Sequence, residues 1–211
     1  MNNPIPKPVA EVWKPELVRL PEMTHSRRLF RSFAHGLIKF VAKICLKVTA
    51  TGMENFPLEG PVLVVINHLG DSDVPALIST FPFPPDALGK IELYELPILG
   101  KLIDWYGVIW LHRGRADTRE GSGGAAFLAY KSGASILPIA ITGTENENVY
   151  GSLKKFRRAA VHVSVGKMFK LSGQAESRQE AVSQGTNQIM QALADLLPEK
   201  YRGAYSSKAS L

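Results

Sequence analysis

The run Asn67-His68-Leu69-Gly70-Asp71-Ser72-Asp73 places an imidazole and a carboxylate five residues apart. An imidazole is the one side chain that titrates near neutrality without help. A carboxylate bound to one ring nitrogen fixes the tautomer that leaves the other nitrogen free to take a proton. His68 would then deprotonate an alcohol while Asp73 orients the ring and stabilises the imidazolium. The same residue types also suit a turn, with Asn67 and Asp71 in the bend, Ser72 or Asp73 capping the next helix, and His68 merely polar. Spacing alone does not choose between these readings, because a bare His-x4-Asp recurs by chance.

The flanking sequence supplies a scaffold for the pair. Residues 61–66 are apolar without alternation, which suits a strand buried on both faces of a parallel sheet, and residues 74–80 read as a helix ended by the run 81–85. His68 and Asp73 therefore sit between the end of a buried strand and the start of a helix, where α/β proteins hold active residues. Further strands are predicted at 48–51, 108–112, 136–141 and 161–165, and helices at 94–105, 124–131 and 180–197. The last helix carries Val182, Ile189, Met190, Leu193 and Leu197 on one face and stops at Pro198. Alternating helices and strands give an α/β class, a mostly parallel sheet flanked by helices. The organisation expected is a loose Pro-rich arm (1–25), a basic amphipathic helical segment (26–47), an α/β domain (48–205) and a short tail (206–211).

Composition narrows the partners. Of 211 residues, 45% are hydrophobic and 21% charged, the ordinary globular range. A net charge of +6 implies anionic partners: phosphate-bearing metabolites, acidic lipid headgroups or nucleic acid. No basic stripe interleaved with aromatics is present, which ranks nucleic acid last. The single cysteine, Cys45, allows no internal disulfide, and no cluster of Cys and His suggests a metal site, so a reducing, cytoplasmic setting is the plain reading. The most apolar window, 33–46, is interrupted by Lys39 and Lys43, so no membrane span is expected, and the prolines of residues 1–23 do not make a signal peptide. Within 26–47, Arg27, Arg28, Arg31, Lys39, Lys43 and Lys47 alternate with Leu29, Phe33, Leu37, Phe40, Val41 and Ile44 at helical spacing, in one helix or two joined at Gly36. The apolar stripe either packs on the domain with the charges in water, the usual state of a surface helix, or lies on an anionic membrane.

Several ordered segments resemble one family. The lead-in Thr51-Gly52-Met53-Glu54-Asn55-Phe56-Pro57, then Gly60-Pro61 and the strand ending in Asn67-His68, is similar to the first motif of the glycerolipid acyltransferases, among them the 1-acylglycerol-3-phosphate acyltransferases. Lys90-Ile91-Glu92-Leu93 with Leu96-Pro97 and Leu99-Gly100 resembles that family's Lys-x-Glu-Leu and Pro-x-x-Gly stretch. Gly107-Val108-Ile109-Trp110-Leu111-His112-Arg113 resembles its second motif, and Ile136-Leu137-Pro138-Ile139-Ala140-Ile141 its fourth. The resemblance covers roughly residues 45–205, and motifs in order are far more specific than one. It implies His68 as base and Asp73 as its orienter, attack of a glycerol hydroxyl on the thioester of acyl-CoA or acyl carrier protein, and no cofactor. Arg113 matches the arginine that helps hold the acceptor phosphate, a task suited to a planar, permanently charged fork. Asn67 and Gly107 are carried over as further substrate-binding positions, and Pro138 as structural or lining the acyl channel. A lysophospholipid or other glycerol-phosphate acceptor implies peripheral attachment on the cytoplasmic side of a membrane.

One departure is mild and one is large. Gly70 stands where many relatives have serine. The third motif, an aromatic followed by Pro-Glu-Gly-Thr-Arg, is missing between Arg113 and Pro138. Asp117-Thr118-Arg119 resembles the segment after the second motif, and Glu120-Gly121-Ser122-Gly123-Gly124 the segment after the third, as though a helix and a strand were cut out at Arg119 and Glu120. The expected fold is one strand short, with weak or absent turnover, since each lost charge-assisted bond to the acceptor is worth about 1.5–3 kcal/mol. The rival readings are a non-catalytic lipid-binding relative on the membrane surface and a serine hydrolase or thioesterase. The hydrolase reading lacks a Gly-x-Ser-x-Gly elbow.

Overall fold

A computed structural model describes residues 20–57, 60–111, 123–171 and 177–206. Most of the arm 1–25, Arg113, the junction at Arg119 and Glu120, and all but the first residue of the tail lie outside the described residues. The elements are α1 (His25–Cys45), β1 (Leu46–Thr51), β2 (Val62–Ile66), α2 (Asp73–Thr80), β3 (Leu88–Lys90), α3 (Leu99–Tyr106), β4 (Ile109–Leu111), α4 (Gly124–Ser132), β5 (Ser135–Thr142), α5 (Asn146–Lys154), β6 (Ala159–Val165) and α6 (Arg178–Leu196). The α/β class stands, and the described residues fall into two compact units.

The larger unit takes residues 38–57, 60–80, 123–171 and 177–206. Its four strands run in the order β1-β6-β5-β2. The pairs β1–β6 and β2–β5 are parallel and the central pair β5–β6 antiparallel. On one face, Ala76 of α2 and Val149 of α5 pack with Leu46, Ile141, Ala159 and Val161. On the other, Ala126 and Ala129 of α4 and Ile189 and Leu193 of α6 cover Val65 and Ile136. Burial on both faces explains the unbroken apolar run of β5, where each large side chain contributes about 1.5–3 kcal/mol. Met190 was expected on the inner face of α6 but is largely exposed, and Ala194 is buried instead.

Pro138 sits in the middle of β5, a central strand and not an edge. The missing N–H is tolerated because the ladder toward β6 is interrupted there. Ile136 exchanges backbone hydrogen bonds with Phe169, the β5–β6 register resumes only at Ile139 opposite Val165, and between them the Gly166 N–H donates to the Pro138 carbonyl. A strand proline next to such an interruption leaves no partner unsatisfied.

The smaller unit takes residues 20–37 and 81–111. Its strands β3 and β4 form a separate two-stranded parallel sheet. The helix expected over 94–105 is broken: Ile91–Glu95 is a 3-10 turn and α3 starts at Leu99. Pro97 accounts for the break, since a proline pushes the preceding residue, Leu96, into extended backbone. Buried Trp110 donates its indole N–H to Asp104 and meets the edge of Tyr94.

The helix α1 runs unbroken through Gly36, and its orientation reverses the packing expected of it. Leu29, Phe33, Leu37, Phe40, Val41 and Ile44, the residues of the apolar stripe, are all exposed, Phe33 at 66% and Phe40 at 61%. Arg31, His35 and Ala42 are buried in their place. The charge on Arg31 is compensated by Asp86 at 2.7 Å, by the carbonyls of Pro84 and Pro85, and by the Tyr106 ring beneath its guanidinium. The reading in which the stripe packs on the domain is therefore overturned.

Candidate active site

The strand β2 ends at Ile66 and α2 begins at Asp73, so the six residues between them make a tight corner at the edge of the larger sheet. Two long-range contacts fix this corner to the end of β5. The Asn67 carboxamide donates from Nδ2 to the Ile141 carbonyl at 2.8 Å and accepts from the Ile141 N–H at 2.7 Å, extending the β2–β5 ladder with a side chain. The Asp71 N–H donates to Asn146 Oδ1 at 2.9 Å. Gly70 allows the close approach, because a Cβ there would lie 2.3 Å from the Thr144 carbonyl oxygen and 2.6 Å from Asn146 Oδ1. A serine side chain at this position does not fit this packing.

Within the corner His68 and Asp73 come together. His68 Nδ1 lies 3.3 Å from Asp73 Oδ2, with the imidazole 71% exposed and the carboxylate 1% exposed. With the proton on Nδ1 donated to Asp73, Nε2 is left as an acceptor. The separation is long for such a bond, and catalytic hydrogen bonds commonly tighten in the substrate complex. Asp73 Oδ2 also accepts the backbone N–H groups of Leu69 at 2.8 Å and Gly70 at 3.1 Å, while Oδ1 accepts the buried Thr144 hydroxyl in a short hydrogen bond. Burial pushes the Asp73 carboxyl up. The hydrogen bonds from His68, Thr144, Gly70 and Leu69 outweigh it and hold the group below the ordinary aspartate value. Asp73 thus closes a turn on its own backbone and faces the imidazole.

The other candidate positions are placed differently. Asn67 directs its carboxamide at the β5 backbone, a contact that secures the corner. Gly107 lies in the smaller unit and ends α3 with φ of 90°, its N–H returning to Asp104. The left-handed turn accounts for glycine there without a ligand. Arg113 lies outside the described residues. Thr144, Asn146 and Tyr150, whose hydroxyl donates to Asp71 Oδ2 at 2.9 Å, were not singled out from the sequence. Each is more than 70 residues from its partner, and no local pattern marks such a contact.

This arrangement can accept a proton on an exposed imidazole backed by a buried, ionised carboxylate, which is the equipment of general-base catalysis on a hydroxyl. The chain aligns with the 1-acyl-sn-glycerol-3-phosphate acyltransferase of Borreliella burgdorferi at 28% identity over 133 positions, 48% of this chain and 53% of that protein. It thus spans about half the length of this curated relative. The fold matches the crystal structure of the 1-acyl-sn-glycerophosphate acyltransferase PlsC from Thermotoga maritima, with a TM-score of 0.55 and 20% identity over 82% of this chain and 84% of that one. A family model described as Acyltransferase matches residues 47–168, more than half of the sequence and including the whole corner from Asn67 to Asp73, and the chain accordingly belongs to the acyltransferase family.

Proposed function

We propose that the chain transfers a fatty acyl group from the thioester of acyl-CoA or acyl carrier protein to a hydroxyl of a glycerol-phosphate acceptor such as lysophosphatidic acid. The observation that carries this reading is the exposed His68 imidazole held against the buried Asp73 carboxylate. His68 Nε2 takes the hydroxyl proton as the acceptor oxygen bonds to the thioester carbonyl carbon. The carbon–sulfur bond then breaks, and the departing thiolate takes the proton back from the imidazolium. Asp73 remains ionised throughout and stabilises the transient imidazolium. No acyl-enzyme and no metal is required.

The third family motif is not in the sequence, and Arg113 is the acceptor-phosphate residue that the resemblance retains. Turnover is therefore expected to be slow, with a high KM for the acceptor, because binding energy from the phosphate is what the missing block supplies in relatives. The exposed stripe of α1 supports peripheral attachment to a membrane. No helix among the described residues is long and apolar enough to cross one. Six exposed apolar side chains beside Arg28, Lys39 and Lys43 match an anionic lipid surface in both polarity and charge. The same stripe is what a non-catalytic lipid-binding relative would keep.

Flotation with vesicles of mixed neutral and anionic phospholipid, combined with detection of phosphatidic acid from oleoyl-CoA and lysophosphatidic acid, separates the two. Flotation with product formation is expected. Flotation without product on prolonged incubation would establish the non-catalytic reading instead.

A further inference from the structure

Asp73 uses its two oxygens unequally. Oδ2 meets His68 and two backbone N–H groups from its own loop, whereas Oδ1 has one partner among the described residues, the Thr144 hydroxyl. Thr144 is fully buried, so water does not compete for that oxygen. The residue lies just beyond the end of β5, and its segment is locked onto the histidine corner by contacts on either side. Asn67 grips Ile141 upstream and Asn146 grips Asp71 downstream, with Gly70 leaving no space between the two backbones. A carboxylate bonded through one oxygen can still swing about its Cβ–Cγ bond. Bonded through both, it presents Oδ2 to the imidazole in a single orientation.

We infer that Thr144 is a positioning residue for acyl transfer: its hydroxyl holds Oδ1 so that Oδ2 faces His68, making the catalytic pair a three-residue line from buried hydroxyl to exposed imidazole. The inference deepens the proposed function and rests on it for its catalytic meaning, while the hydrogen-bonded line itself has an independent readout. Thr144 touches neither substrate nor reacting atom. Its effect passes through Asp73 to His68, which sets a signature that a packing role lacks. Removing the hydroxyl frees the carboxylate to turn about its Cβ–Cγ bond, so the hydrogen bond that holds the proton on His68 Nδ1 and leaves Nε2 as acceptor is no longer enforced. Asp71, the other carboxylate of the loop, accepts a hydrogen bond from the Tyr150 hydroxyl.

The test reads the tautomer of the neutral His68 ring from its nitrogen-15 shifts, in the unmutated protein and in Thr144→Ser and Thr144→Val. The serine variant retains the donor and should keep the proton on Nδ1 as the unmutated protein does. The valine variant should show a mixture of the two tautomers, with kcat reduced about tenfold and KM unchanged. The same single tautomer in the valine variant and the unmutated protein would overturn the inference. Should the valine variant not fold, the hydroxyl proton of Thr144 in the unmutated protein decides. Slow exchange with solvent and a shift that moves with the His68 titration support the line, and rapid exchange or indifference to that titration refutes it. A protein that shows the NMR coupling but transfers no acyl group would reject the proposed reaction and leave the line intact.

Discussion

The corner after β2 and the helix α1 handle polarity in opposite ways. In the corner the Asp73 carboxylate is buried and hydrogen-bonded through both oxygens, while the His68 imidazole against it stands in water. In α1 the six apolar side chains of the stripe are exposed, and an arginine and a histidine are buried. The inward arginine is fully compensated, but His35 Nε2 is buried with no hydrogen-bond partner among the described residues, a loss of about 1–3 kcal/mol. The exposed stripe adds little burial energy to the fold. A polar cluster that is satisfied internally needs nothing from outside, whereas an uncovered apolar face calls for a surface to lie on. On the proposed reading the corner serves reaction and α1 serves attachment.

If that division is sound, the two regions can be broken separately. The largest effect is expected at the corner: Asp73→Asn should lower kcat by about 10²–10⁴-fold, because the carboxamide can donate its own N–H toward His68 and present the wrong tautomer. It should also lower Tm by several degrees, since the contacts from Leu69, Gly70 and Thr144 lose their anionic acceptor. The sign of the pH dependence comes from the depressed carboxyl. The stability contributed by Asp73 is fully present above its ordinary value of 3.8 and is lost as pH falls below that value through the lower value of the folded state. Acid unfolding monitored by circular dichroism should therefore lose part of its steepness in Asp73→Asn. Binding to vesicles should be unaffected.

A smaller effect is expected on α1. The double substitution Phe33→Glu with Phe40→Glu should reduce vesicle binding about 10–100-fold, because it removes two buried apolar contacts and adds two repelled charges. Activity on detergent-dispersed substrates should stay within about twofold, since neither side chain takes part in the corner's hydrogen bonds. A loss of activity in detergent equal to the loss of binding would dissolve the division of labour. The smallest effect is the salt response: raising ionic strength from about 0.1 to 1 M should weaken attachment a few-fold, without abolishing it, because the charges screen and the apolar contacts do not.

The corner was legible in the sequence because its signals are local: an apolar strand, a polar turn and a helix start within a dozen residues. The locks on it were not. Thr144 and Asn146 reach their partners only after β5 has paired with β2, and polar residues after a strand read as an ordinary loop. The helix α5 went unseen for a related reason, since only Val149 of its nine residues is buried and its first turn is Asn-Glu-Asn. The strand β3 is three residues long with Gly89 at its centre, too short for periodicity to register. For α1, helical spacing correctly gives the helix and its stripe. Which side faces inward depends on Asp86, Tyr106 and the two proline carbonyls that make room for Arg31, and no pattern within residues 25–45 records them.

The central claim is that His68 supplies the base. Its side chain is mostly exposed, so His68→Ala should leave the thermal unfolding midpoint unchanged, and any loss of rate can be read as chemistry. The direct measurement compares the initial rate of phosphatidic acid formation from acyl-CoA and lysophosphatidic acid in the unmutated protein and in His68→Ala. A slow but measurable rate that drops by at least about 10²-fold in the variant is the predicted result. Equal rates in the two proteins would contradict the assignment.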